Sequence, residues 1–92
     1  MRDQVPLSVH VVYLARLREA FGSAGESLRL TSEAGTTVAD ILDRLRCRGG
    51  PFATELAPGR AVRVAVNHAM AGPGDPVREG DEVAIFPPVT GG

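Results

Sequence analysis

Ninety-two residues, 43% of them apolar, make one small domain with a modest core, and a formal net charge of -1 leaves no basic footprint for nucleic acid. The single cysteine, Cys47, excludes an internal disulfide and a zinc site built on several thiolates. All ten basic residues are arginine, so apart from its N-terminus the chain offers no amine for acyl attachment.

Residues 1–7 are polar, contain Pro6 and read as a flexible leader to a domain spanning 8–86. No signal peptide is legible, because His10 breaks the apolar run Val9 to Ala15 and no small-residue cleavage site follows it. No stretch approaches the length of a membrane span, and a reducing cytoplasm is the expected location. Val9, Val11 and Tyr13 alternate with His10, Val12 and Leu14, which predicts a first strand. Arg16 to Phe21 is a short polar-apolar mix closed by Gly22, and Ser23-Ala24-Gly25 reads as a turn. Ser27 to Thr31, with Leu28 and Leu30, predicts a second strand paired with the first as a hairpin.

A helix follows. Thr37 is a good N-cap, and Asp40 three residues later nearly completes a capping box. Val38, Ile41, Leu42 and Leu45 form one apolar stripe, and Asp40 and Arg44 are spaced for an ion pair on the other side. Gly49-Gly50-Pro51 stops the helix. Phe52 to Pro58 reads as a loop or short helical turn with Phe52 and Leu56 tucked beneath. Val62, Val64 and Val66 alternate with Arg63 and Ala65 as a third strand. Asn67 to Pro76 is turn-rich, with room for a short strand near Ala69-Met70. Arg78 to Asp81 is a tight turn, and Glu82 to Phe86 is the last strand.

The order β-β-α-β-(β)-β predicts an α+β fold of the β-grasp, or ubiquitin-like, kind: a mixed sheet of four to five strands with one main helix across one face. In that arrangement the first and last strands are central neighbours. Val9, Val11, Tyr13, Val62, Val64, Val83 and Ile85 then face the helix. Val12, Leu14, Ala65, Ala84 and Phe86 fall on the other face as an uncovered apolar patch, a common mark of a partner site.

The end of the chain, residues 87–92, is the strongest chemical signal. Pro87 and Pro88 end the strand and hold the backbone extended. Gly91 and Gly92 then strip the arm of side chains, so it fits a slot too narrow for a Cβ. The terminal carboxylate of Gly92 can stand up to about 20 Å off the domain. Asp75, Glu79, Asp81 and Glu82 against Arg78 make an acidic rim near this arm, fit either to steer a basic partner or simply to solvate a turn. His10 and His68 lack a second ligand at metal spacing, and Arg18-Glu19 reads as a surface charge pair. Cys47 falls opposite the apolar stripe, among Arg44, Arg46 and Arg48.

The run Gly80-Asp81-Glu82-Val83-Ala84-Ile85-Phe86-Pro87-Pro88-Val89-Thr90-Gly91-Gly92 resembles the C-terminus of the MoaD/ThiS sulfur-carrier family, in its molybdopterin synthase small-subunit branch. Val11-Val12-Tyr13-Leu14-Ala15, Arg18-Glu19, Gly22 and Val64-Ala65-Val66-Asn67 extend the likeness over about residues 8–92. The resemblance implies a carrier that is not catalytic alone and binds no metal or cofactor. Gly92 would be the reacting residue and Gly91 its slot-entering neighbour. Phe86, Pro87, Pro88, Val89 and Thr90, with Val12, Leu14 and Ala84, would contact the partner. The implied partners are an E1-like adenylyltransferase that uses ATP, a sulfur donor of the cysteine desulfurase or rhodanese type, and the molybdopterin synthase large subunit. There the Gly92 thiocarboxylate would give sulfur to cyclic pyranopterin monophosphate. The same tail chemistry serves carriers for thiazole synthesis, tRNA thiolation or cysteine synthesis, and ubiquitin-like protein modifiers. The Phe-Pro-Pro-Val-Thr-Gly-Gly ending and the length favour the molybdopterin branch.

Overall fold

Strand alternation and one helix cap organise the chain, seen here in a computed structural model that describes residues 5–32 and 36–88. The elements are β1 (Val5–Tyr13), α1 (Arg16–Phe21), β2 (Gly25–Ser32), β3 (Thr36–Thr37), α2 (Val38–Arg46), α3 (Gly50–Glu55), β4 (Arg63–Val66), β5 (Ala69–Ala71), β6 (Pro76–Val77) and β7 (Glu82–Phe86). Five strands form one sheet in the order β2-β1-β7-β4-β5, and β3 pairs with β6 in a separate two-stranded ribbon. β1 and β7 are parallel, while the β1–β2, β7–β4 and β4–β5 pairs are antiparallel. This mixed sheet with helices on one face is the expected ubiquitin-like α+β fold. Among the described residues, no helix is long and apolar enough to cross a membrane.

The alternation places Val9, Val11, Tyr13, Val64, Val83 and Ile85 in the core, against Val38, Ile41 and Leu45 of α2. Leu17, Leu28, Leu30, Leu56 and Val77 complete it, and Leu42 and Val62 pack at its margin. Each fully buried side chain of this size contributes roughly 1.5–3 kcal/mol. The α2 start is closed by a full capping box, with Asp40 taking the Thr37 N–H at 2.9 Å and the Thr37 hydroxyl accepting from the Asp40 N–H. Two more free donors are satisfied from the β5–β6 loop, Val38 N–H by the Asp75 carbonyl and Ala39 N–H by that of Pro73. Asp40 is committed to the cap, so the helix's ion pair joins Asp43 to Arg46 and not Asp40 to Arg44.

Several boundaries differ from the sequence reading. The leader is shorter, because Val5, Pro6 and Leu7 pair with Ser32, Thr31 and Leu30. Ser8 turns both its backbone groups toward Glu79 and Gly80, and Pro6, two residues earlier, shares that orientation. β7 joins β1 only from His10 onward, so the N–H that Pro6 lacks falls on an unpaired flank. Residues 1–4 lie outside the described part. Arg16–Phe21 is a helical turn that buries Leu17 and ends at Gly22, whose φ of 67° suits a left-handed cap. The β1–β2 pair is therefore joined through α1, not through a tight turn. Phe52 and Leu56 do pack inward, from α3 and its C-cap, but α2 already ends at Arg46 with Cys47 as its cap, and Gly49-Gly50-Pro51 instead starts α3.

An aromatic cluster under the β1–β2 end is tied to charge. Tyr13 meets Phe21 edge-on at 4.8 Å, and Phe21 stacks on Phe52 at 4.1 Å. The buried Tyr13 hydroxyl donates to Glu26 Oε2 at 2.6 Å. Arg48 grips the same carboxylate with two bonds of 2.6 and 2.7 Å while its guanidinium lies over Phe52. Burial, reinforced by the Glu26 carboxylate, pushes the Tyr13 hydroxyl well above its usual range, and the Arg48 bonds hold Glu26 below the usual carboxylate range.

Candidate functional site

The site is built where the last strand leaves the middle of the sheet. Tyr13 and Ile85 are register partners, and the Leu14 N–H donates to the Ile85 carbonyl at 3.1 Å, one rung beyond β1. Phe86 is thereby fixed beside Leu14 and directly opposite Arg63 of β4. Pro87 and Pro88 follow, both half-buried and without regular structure. The arm is thus rooted between two paired neighbours, and its two prolines follow directly on the last strand.

The face that looks away from α2 carries an apolar row across all five strands. Register aligns Gly25, Val12, Ala84, Ala65 and Met70. Gly25 is required at the β2 end, since a Cβ there would lie 2.6 Å from the Val11 carbonyl oxygen. Leu14 is 42% exposed and Met70 61% exposed, while Val12, Ala84 and Phe86 are half-buried. The expected docking residues Val12, Leu14, Ala84, Phe86, Pro87 and Pro88 therefore do come together. Val89, Thr90, Gly91 and Gly92 lie outside the described residues. Met70 and Arg63 belong to the same face and were not expected there. Alternation with Val62 and Val64 already implies the side for Arg63, whereas Met70 is placed only by the register of β5 against β4.

The acidic stretch near the arm has a structural use. Asp81 accepts from the Asn67 side-chain amide at 2.9 Å and from the Arg78 N–H at 2.8 Å. Asn67, at φ 51°, also accepts the Glu82 N–H, so it ties the β4–β5 turn to the start of β7. Glu79 takes the Ser8 N–H and Asp75 that of Gly72. Three of the four carboxylates of the expected rim are thus holding backbone. Cys47 is exposed at the end of α2, but Arg46 is directed to Asp43 and the Leu56 carbonyl, and Arg48 to Glu26.

The Arg78 N–H, and then the Asn67 amide, hold the Asp81 carboxyl below its ordinary value of 3.8. A depressed carboxyl contributes stability above its unfolded value and loses it as pH falls through the folded one. Unfolding followed along an acid titration should therefore show part of the parent's loss below that value missing in Asp81→Asn. That variant should already be weaker by about 1 kcal/mol at neutral pH. Identical acid profiles would show that the turn does not depend on this carboxylate.

Comparison with known proteins agrees with this geometry. The sequence pattern of the ThiS family matches residues 11–92. A molybdopterin synthase sulfur carrier subunit from Haemophilus influenzae is 33% identical over 84 residues, covering 91% of this chain and 99% of its own. The crystal structure of H. volcanii small archaeal modifier protein 1 superposes with a TM-score of 0.70 at 29% identity, covering 90% of this chain and 99% of that one. In a complex of subunits 1 and 2 of molybdopterin-converting factor from Helicobacter pylori, one chain shares the fold, with a TM-score of 0.60 at 18% identity over 94% of this chain and 100% of that one. With the family pattern running from β1 to the last glycine, over an arm rooted in the sheet's centre, the chain belongs to the ThiS family.

Proposed function

We propose that the chain is the sulfur-carrying small subunit of a molybdopterin synthase, with Gly92 as the residue that bears sulfur. The observation that carries this reading is the rooting of a Pro87-Pro88 arm, ending in Gly91-Gly92, between β1 and β4 and beside an uncovered apolar face. A carboxylate is a poor electrophile. Transfer of AMP from ATP to the Gly92 carboxylate, with loss of pyrophosphate, makes it one. The donor's persulfide then displaces AMP to form an acyl disulfide, and a thiol reductant cleaves that S–S bond, leaving the thiocarboxylate while the thiol ends as a disulfide. The activating partner is an E1-like adenylyltransferase, and the donor is of the cysteine desulfurase or rhodanese type. ATP is consumed in that partner, and the carrier needs no cofactor of its own. The charged arm then enters the large subunit and gives its sulfur to cyclic pyranopterin monophosphate. The name of the Haemophilus influenzae relative supports this, as does the two-subunit complex from Helicobacter pylori. A reducing, ATP-containing cytoplasm suits both the thiocarboxylate and the free Cys47.

The test is intact mass after incubation with the E1-like partner, ATP, a sulfur donor and a thiol reductant. Replacement of one oxygen by sulfur, localised to Gly92, is expected. Deletion of Gly92 should abolish it, and Gly91→Ala should leave thermal unfolding unchanged while impairing delivery to the large subunit. Undiminished sulfur transfer after the deletion would sink the reading. The likeness to the small archaeal modifier protein favours a second reading, isopeptide attachment of Gly92 to other proteins. That reading predicts conjugates of higher mass when lysine-bearing proteins replace the sulfur donor.

A further inference from the structure

Arg63 stands apart from the residues around the root of the arm. It is the direct register partner of Phe86, and its neighbour Val64 is buried in the core, so Arg63 lies on the open face. Leu14, Ala65 and Phe86, which surround that position, are apolar. The nearby arginines are occupied: Arg16 and Arg60 share Glu55, at 3.2 and 2.9 Å. Arg63 is exposed and has no side-chain hydrogen bond or ion pair among the described residues. Among the described residues, no contact calls for a guanidinium here.

A surface that seats the arm must close over Phe86, and so over Arg63. Covering an unpaired guanidinium with apolar surface is strongly unfavourable, because it gives up its hydration with nothing in return. A carboxylate restores the balance, and the planar fork of arginine accepts it with two parallel bonds. We infer that Arg63 is a specificity-determining residue of the docking face, selecting a partner surface that sets a carboxylate within an apolar patch covering Leu14 and Phe86. A partner with apolar surface alone at that point would be rejected. The inference rests on the carrier reading, in which the arm enters the large subunit.

The experiment uses the full chain and the large subunit from the same source, with affinity measured by calorimetry at low and at physiological salt. Arg63→Leu should weaken binding about tenfold or more, and Arg63→Glu about a hundredfold or more, with unfolding temperatures unchanged. Arg63→Lys should fall between the parent and Arg63→Leu. The salt dependence seen in the parent should shrink in Arg63→Leu. Phe86→Asp serves to separate the two ideas. If it abolishes binding while Arg63→Leu binds as tightly as the parent, the role of Arg63 is overturned and the docking face stands. If Phe86→Asp and Arg63→Glu both leave binding intact, the partner does not cover this face, and the inference falls with it.

Discussion

Tyr13→Ala should be among the most destabilising single changes in this domain, costing about 4 kcal/mol or more in chemical denaturation. Tyr13 is fully buried and lies against both Phe21 and Phe52, so truncation opens a cavity between β1 and the two short helices. It also removes the donor to Glu26. A domain of this size holds roughly 5–15 kcal/mol in total and loses roughly 4–8 °C of Tm per kcal/mol, so a fall of roughly 20 °C is expected. Tyr13→Phe separates the two contributions. It keeps the ring packing and leaves Glu26 in the double grip of Arg48, so it should cost only about 1 kcal/mol. Equal losses for the two variants would place the energy in the hydroxyl and not in the ring.

Phe86→Asp should have the largest effect on assembly. Phe86 lies half-buried on the open face, opposite Arg63 and beside Leu14, with the arm starting immediately after it. An aromatic residue at the centre of a covered patch carries a large share of binding energy, and a carboxylate there must be desolvated on docking. Binding to the large subunit should weaken by about a hundredfold or more, the equivalent of roughly 3 kcal/mol. The new carboxylate lies beside Arg63 and stays wet in the free carrier, so the unfolding temperature should move only a few degrees. A large loss of stability would show that Phe86 supports the domain from its open side and is not held ready for a partner.

The parts of this molecule that are legible in its sequence are those with a full period of pattern. Four strands show alternation, around Val11, Leu28, Val64 and Val83, and α2 shows both its cap and its stripe. α1 and α3 each run for six residues and β3 and β6 for two, too short for a period to repeat. Pro6 argues against a strand in any local reading, and only the late start of β7 makes it admissible. At the site, the alternation that buries Val83 and Ile85 already puts Ala84 and Phe86 on the far face, and the alternation about Val64 does the same for Arg63 and Ala65. Met70 could not be placed that way, because its position depends on pairing with Ala65 through a two-residue turn at Asn67-His68. The carboxylates near the arm read as a charge pattern in sequence. Their use as acceptors for Arg78, Ser8 and Gly72 N–H groups is a three-dimensional fact.

The parallel pairing of β1 and β7 has a mechanical consequence. Because the two strands run the same way, the beginning of β1 and the arm leave the sheet at opposite ends. Tension between those ends slides the strands past each other. It loads the rungs from His10–Glu82 to Tyr13–Ile85 all at once, where an antiparallel pair joined by a tight turn would peel open one rung at a time. A partner that grips the arm tightly can therefore be drawn off without unravelling the domain it holds. A protein-unfolding motor that seizes the same arm pulls against those rungs together and not one after another.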